Sequence, residues 1–182
     1  MRWLTLYARS RQIPIAFAAI LVAIAGIGWL AQPDGSPRLA AMAAALGVAG
    51  AAAGFGGQDI RLDRTAAIAW PPRRAAHLIV VAAVVTAAVW ATRIAPPEFV
   101  LRDGIGLAGL AALGATLFGA TAAWALPVGW VALTMVVPPS QEPFDQVLTW
   151  MMQPQGTPAA TATAIVCAAT GGLAYTLLGC RR

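Results

Sequence analysis

Apolar residues recur along the chain in long blocks, separated by short clusters of Pro, Gly and charge. Six blocks approach or reach the roughly 18 to 20 residues needed to cross the hydrocarbon core of a bilayer as a helix. They run over about 13–31, 39–56, 75–91, 104–121, 124–138 and 158–178. The fourth and fifth come from one stretch, Gly104 to Pro138, that holds no charged residue. As a single helix it would be roughly 52 Å long at 1.5 Å per residue, too long for one crossing. A break near residues 121–124 divides it, with Trp124 at an interface and Pro127 in the first turn of the next helix. The pattern predicts an all-α integral membrane protein, residues 1–182 forming a single transmembrane domain of six helices.

Three connecting segments carry their own amphipathic signal. Residues 2–12 place Trp3, Leu4, Leu6 and Tyr7 beside Arg2, Arg9 and Arg11, which suits an interfacial helix in the headgroup plane or a simple anchor for the first span. Between the second and third blocks Asp63 can cap two helical turns that end at Pro71 and Pro72. Residues 139–157 hold an apolar island, Phe144 to Met152, between Pro143 and Pro154, which reads as a short interfacial or re-entrant helix.

Composition agrees with the pattern. Hydrophobic residues make up 59% of the 182 and charged residues 10%, against roughly 25% charged in soluble domains. The basic start followed by an apolar run resembles a signal peptide, but the run is longer than the usual 7 to 15 residues and is expected to remain as a span. The net charge of +5 comes from Arg alone, because the chain has no Lys. In a membrane protein this excess reports orientation and contact with anionic headgroups, not nucleic acid. Nine of the twelve Arg fall on one side if six helices cross, with both termini on that cytoplasmic side. Asp34, Glu98, Asp103, Glu142 and Asp145 fall on the other.

Missing residues narrow the chemistry. Without Lys there is no phosphate-binding G-x-x-x-x-G-K-[ST] loop and no Lys Schiff base. His77 is the single histidine, so no two-His zinc motif can form, and it reads as a packing residue at a membrane face. Cys167 and Cys180 lack metal-site spacing. The six blocks contain no Asp, Glu or Arg in their interiors, which argues against a carrier that uses intramembrane charge for ion coupling. No catalytic, cofactor-binding or metal site is expected, and the chain is not expected to be an enzyme by itself.

The most charged segment is GGQDIRLDRTAAIAWPPRR, residues 56–74, with four Arg and two Asp. Together with the six blocks, the basic amphipathic start and the segment 139–157, it resembles a membrane subunit of an ABC-2 type ABC transporter of the small actinobacterial type. That resemblance implies a bacterial plasma-membrane permease, exporting a hydrophobic or amphipathic compound, peptide or lipid. ATP and Mg would be bound by separate cytoplasmic ATPase subunits, and the permease would work as a homodimer or beside a second permease. It also implies that the loop carries a coupling helix. Asp59, Arg61, Asp63 and Arg64 would make polar contacts with the ATPase, Ile60, Leu62 and Ile68 would fill its groove, and Trp70 would mark the membrane surface. Phe144, Val147, Leu148, Trp150 and Met151 would close the exit path on the outer face. The plain alternative is that residues 56–74 form a solvated loop that only fixes topology. Two other classes stay open: the six-span substrate-binding subunit of a vitamin importer, and a phospholipid-head-group transferase with Asp59, Asp63, Arg61 and Arg64 near one face.

Overall fold

The computed structural model describes residues 22, 24–27, 29, 36–56 and 70–181. Among these the chain is helical, with no strand. Helix α1 is Pro37–Ala52, extended by a 3-10 turn, Ala53–Phe55. Helix α2 is Trp70–Ala91, α3 is Pro97–Phe118 and α4 is Ala125–Val136, preceded by a 3-10 turn at Ala120–Ala122. The short α5, Pro143–Leu148, leads into a 3-10 turn at Trp150–Met152, and α6 is Pro158–Leu178. Among the described residues four segments, Pro37–Phe55, α2, α3 and α6, are long and apolar enough to cross a membrane, which marks the chain as a membrane protein. Ala120–Val136 is apolar but shorter.

Proline sets most of the starts. Pro37, Pro97, Pro143 and Pro158 each occupy the first helical turn, where the missing N–H costs nothing and the fixed φ is already helical. Ser36 caps α1 through its hydroxyl, which accepts from the Leu39 amide at 3.4 Å. Helix α2 takes Pro71 and Pro72 into its own first turn, so it begins earlier than residue 75. The break in the long uncharged stretch falls at Gly119, whose φ of 89° belongs to the region that only glycine enters freely.

The start of α3 overturns one expectation. The sequence pattern places this span from Gly104 onward and leaves every span interior without charge. The helix in fact begins seven residues earlier, because Pro97 is pre-set for the first turn and Glu98 favours a helix N-terminus. Arg102 and Asp103 therefore lie within a helix that is long enough to span.

Helices α1 and α3 form the centre and α2 and α6 the periphery. On α6 the buried positions Ala160, Ala164, Cys167, Gly171 and Tyr175 make one stripe, and the remaining faces expose Ile165, Val166, Leu173 and Leu177. Helix α2 repeats this with Val81, Val85 and Val89. One-sided burial with apolar residues all round is what a helix facing lipid requires. The tightest packing is where α3 crosses α6. A Cβ on Gly171 would collide with the Gly109 carbonyl, and one on Gly109 with the Cys167 carbonyl, so the backbones are in direct contact. Gly129 on α4, by contrast, has nothing within 4 Å of its Cβ position.

Gly171→Ala should therefore cost about 3 kcal/mol, the upper end for overpacking, because the obstacle is backbone. In detergent this should lower the Tm followed by tryptophan fluorescence by roughly 6 to 12 °C. Gly129→Ala should leave it unchanged or raise it slightly.

Candidate functional site

The bundle has two unlike ends. One carries Ser36, the α2–α3 turn and residues 139–157, and its described charges are Arg38, Arg93, Arg102, Glu98, Asp103, Glu142 and Asp145. The other carries Phe55, Trp70, the C-terminus of α3 and the tail after α6. Its described charges are Arg73, Arg74 and Arg181, with no described acid among them. They are called here the acidic and the basic end.

At the acidic end the charged pair of α3 is enclosed by the segment that follows α4. Asp103 is 1% exposed, and its Oδ1 accepts from Arg102 Nε at 3.1 Å. Consecutive residues on a helix point about 100° apart, so the Arg102 side chain has to bend back to reach its neighbour. Its Nη1 donates to the Gln153 carbonyl at 3.1 Å, and its guanidinium lies 4.6 Å from the centroid of the Phe99 ring. Arg102 Nη2 and Asp103 Oδ2 are buried without a hydrogen-bond partner.

Gln153 fastens this segment from the other side. Its Nε2 donates to Thr149 Oγ1 at 2.8 Å and to the Ser140 carbonyl at 3.3 Å. Thr149 Oγ1 donates to the Asp145 carbonyl at 2.7 Å, and Ser140 Oγ donates to Asp145 Oδ2 at 2.5 Å. Trp150 is fully buried, its indole pressed on Gly106 of α3, where a Cβ would collide with the ring and lie 3.2 Å from the Ala164 Cα of α6. Trp130 Nε1 donates to the Leu148 carbonyl at 2.9 Å and ties α4 to the same segment. Residues 139–157 thus fold back into the bundle and plug its acidic end.

Of the residues expected to close this face, Trp150 and Met151 are fully buried in the plug and Leu148 is half-buried. Phe144 and Val147 instead project outward, Phe144 being 71% exposed. The sequence pattern missed Arg102, Asp103, Thr149 and Gln153. A signal for the first two was present in the Pro96–Pro97–Glu98 run, which starts a helix and carries both charges into its second turn.

At the basic end four helix termini are tied together. Tyr175 Oη donates to the Phe55 carbonyl at 3.1 Å, and the Phe55 ring packs against Tyr175 at 5.0 Å and edge-on to His77 at 5.6 Å. The tail turns at Gly179, with φ of 80°, beneath the Arg74 guanidinium. Arg181 donates from its backbone to the Ala115 carbonyl at 2.9 Å and from Nη1 to the Leu117 carbonyl at 3.0 Å. A cation on the last carbonyls of α3 also complements the helix dipole. Burial pushes the Cys180 thiol up, so it stays protonated at neutral pH. Trp70 opens α2 with Arg73 5.8 Å from its ring. Asp59, Ile60, Arg61, Leu62, Asp63, Arg64 and Ile68 lie outside the described residues.

No group of three or more His, Cys, Asp or Glu suited to a metal ion occurs among the described residues. Comparison with known protein families, curated proteins and solved structures finds no match to this chain.

Removing Asp103 strands Arg102 as a buried charge. Asp103→Ala should cost about 3 to 5 kcal/mol, whereas Arg102→Met combined with Asp103→Leu should recover most of that loss. Thermal unfolding in detergent compares the two, and equal losses would show that the pair is not buried together.

Proposed function

We propose that this chain is the permease subunit of an ATP-driven ABC transporter, one that moves a hydrophobic or amphipathic compound across the bacterial plasma membrane while a separate ATPase supplies the energy. The observation that carries the reading is the contrast between the two ends. The basic end knots the termini of α1, α2, α3 and α6 through Phe55, Tyr175, Arg74 and Arg181. The charged segment 57–69 joins Gly56 to Trp70, beside that knot. A partner that grips Asp59, Arg61, Asp63 and Arg64 would move four helix ends together. The acidic end, closed by Trp150 and Gln153, is where an exit path has to open.

Orientation follows from the Arg count of the sequence. Nine of the twelve Arg fall on the side of the basic end when six helices cross, and Arg is retained on the cytoplasmic side, so that end faces the cytoplasm and an ATPase there. Six crossings satisfy this arrangement when residues 13–31 and Ala120–Val136 are counted with the four long helices. A pair of such chains, identical or not, completes the transporter.

The test is purification of the tagged chain from its native membrane in mild detergent, with identification of stoichiometric partners and assay of vanadate-sensitive ATP hydrolysis. An ATPase should co-purify and should be lost when Asp63→Arg and Arg64→Asp are introduced together, with the Tm unchanged. Recovery of the chain alone or self-associated, under conditions that preserve a known ABC complex, would sink the proposal.

A further inference from the structure

Leu101 and Ile105 stand on the exposed side of α3 as a ridge, and a groove runs along each flank. The groove toward α6 has a volume of about 360 Å3 and is floored by Ala164 and Ile165. The groove toward α2 has a volume of about 580 Å3 and extends from Leu78 to Trp90. That distance is about 18 Å of helix, slightly more than half of a hydrocarbon core of roughly 30 Å, and so matches one leaflet. Two apolar grooves sharing one wall fit a ligand with two chains.

Polar groups gather at one place along these grooves. Glu98 and Arg102 line the α6-side groove at its acidic end, and Gln155 Nε2 donates to Glu98 Oε2 at 3.3 Å. Trp90, 58% exposed, borders the neighbouring groove near the same end, the level at which tryptophan sits in a bilayer interface. Arg102 has unused capacity there. Its Nε and Nη1 are engaged within the protein, whereas Nη2 has no partner on a side chain that is only 9% exposed. An unsatisfied charged donor is costly, and a ligand oxygen relieves it once the side chain turns toward the groove it lines.

The order of the charges selects the headgroup. Glu98 is one turn nearer the helix end than Arg102, about 6 Å farther from the bilayer centre. In a zwitterionic phospholipid the phosphate is the deeper group and the ammonium the shallower. An anionic lipid would bring no cation to Glu98. We propose that the twin groove of α3 binds one zwitterionic phospholipid, its phosphate on Arg102, its ammonium on Glu98 and its acyl chains astride Leu101 and Ile105. This inference requires only that the chain lies in a bilayer, and it holds whether or not an ATPase is its partner.

Native mass spectrometry of the full chain in detergent, titrated with phosphatidylethanolamine and with phosphatidylglycerol of the same acyl composition, tests it. The ethanolamine lipid should bind about tenfold more tightly, the value of one charge-assisted contact. Glu98→Gln, at an exposed position that keeps its contact with Gln155, should reduce that preference to about threefold or less. Ile105→Trp, which fills the shared wall, should weaken both lipids. Equal affinity for the two lipids, or an ethanolamine preference that survives Glu98→Gln, would overturn the proposal. So would displacement by soluble phosphoethanolamine at equal concentration, which would show that the chains contribute nothing, or a dimer that excludes lipid from the grooves.

Discussion

Everything in this bundle is arranged around the place where the α3 and α6 backbones touch. In lipid there is no hydrophobic drive between helices, because the tails are as apolar as the side chains, so association depends on close van der Waals contact. Gly109 and Gly171 supply it by removing the atoms that would hold the helices apart. Once α6 is fixed there, its N-terminal half can trap Trp150 against Gly106 and its C-terminal half can bring Tyr175 to Phe55. The same crossing therefore positions the plug at one end and the knot at the other.

The helical class, with helices long and apolar enough to cross a membrane, was legible from apolar length and proline placement. Boundaries were legible only where chemistry punctuates the chain. Gly119 ends α3 two residues before the expected break because its positive φ, and not the nearby Trp124, sets the turn. The start of α3 is hidden because two adjacent charges, at 102 and 103, read in a sequence as the boundary itself. What the pattern could not supply was their neutralisation by each other, by the Gln153 carbonyl and by the Phe99 ring.

The acidic-end site was legible in part for the same reason. An apolar island between two prolines is visible in sequence, and Trp150 and Met151 turned inward as an amphipathic segment should. That Gln153 and Thr149 would be buried beside them depends on contacts with Ser140 and Asp145, close in space through a fold-back that periodicity does not encode. Phe144 points outward because α5 is only six residues long and presents a single face to the bundle.

Helix α4 gives the molecule a thin side. Ala120–Val136 is seventeen residues, and its regular part, Ala125–Val136, is twelve. At 1.5 Å per residue the whole segment reaches about 25 Å, short of a hydrocarbon core of roughly 30 Å. A bilayer meeting this flank has to pinch or draw polar groups inward, at a modest cost for each ångström of mismatch. Membranes of lesser thickness would then accommodate the protein with less deformation, and in thicker ones the α4 flank becomes the surface that gains most from being covered by another helix.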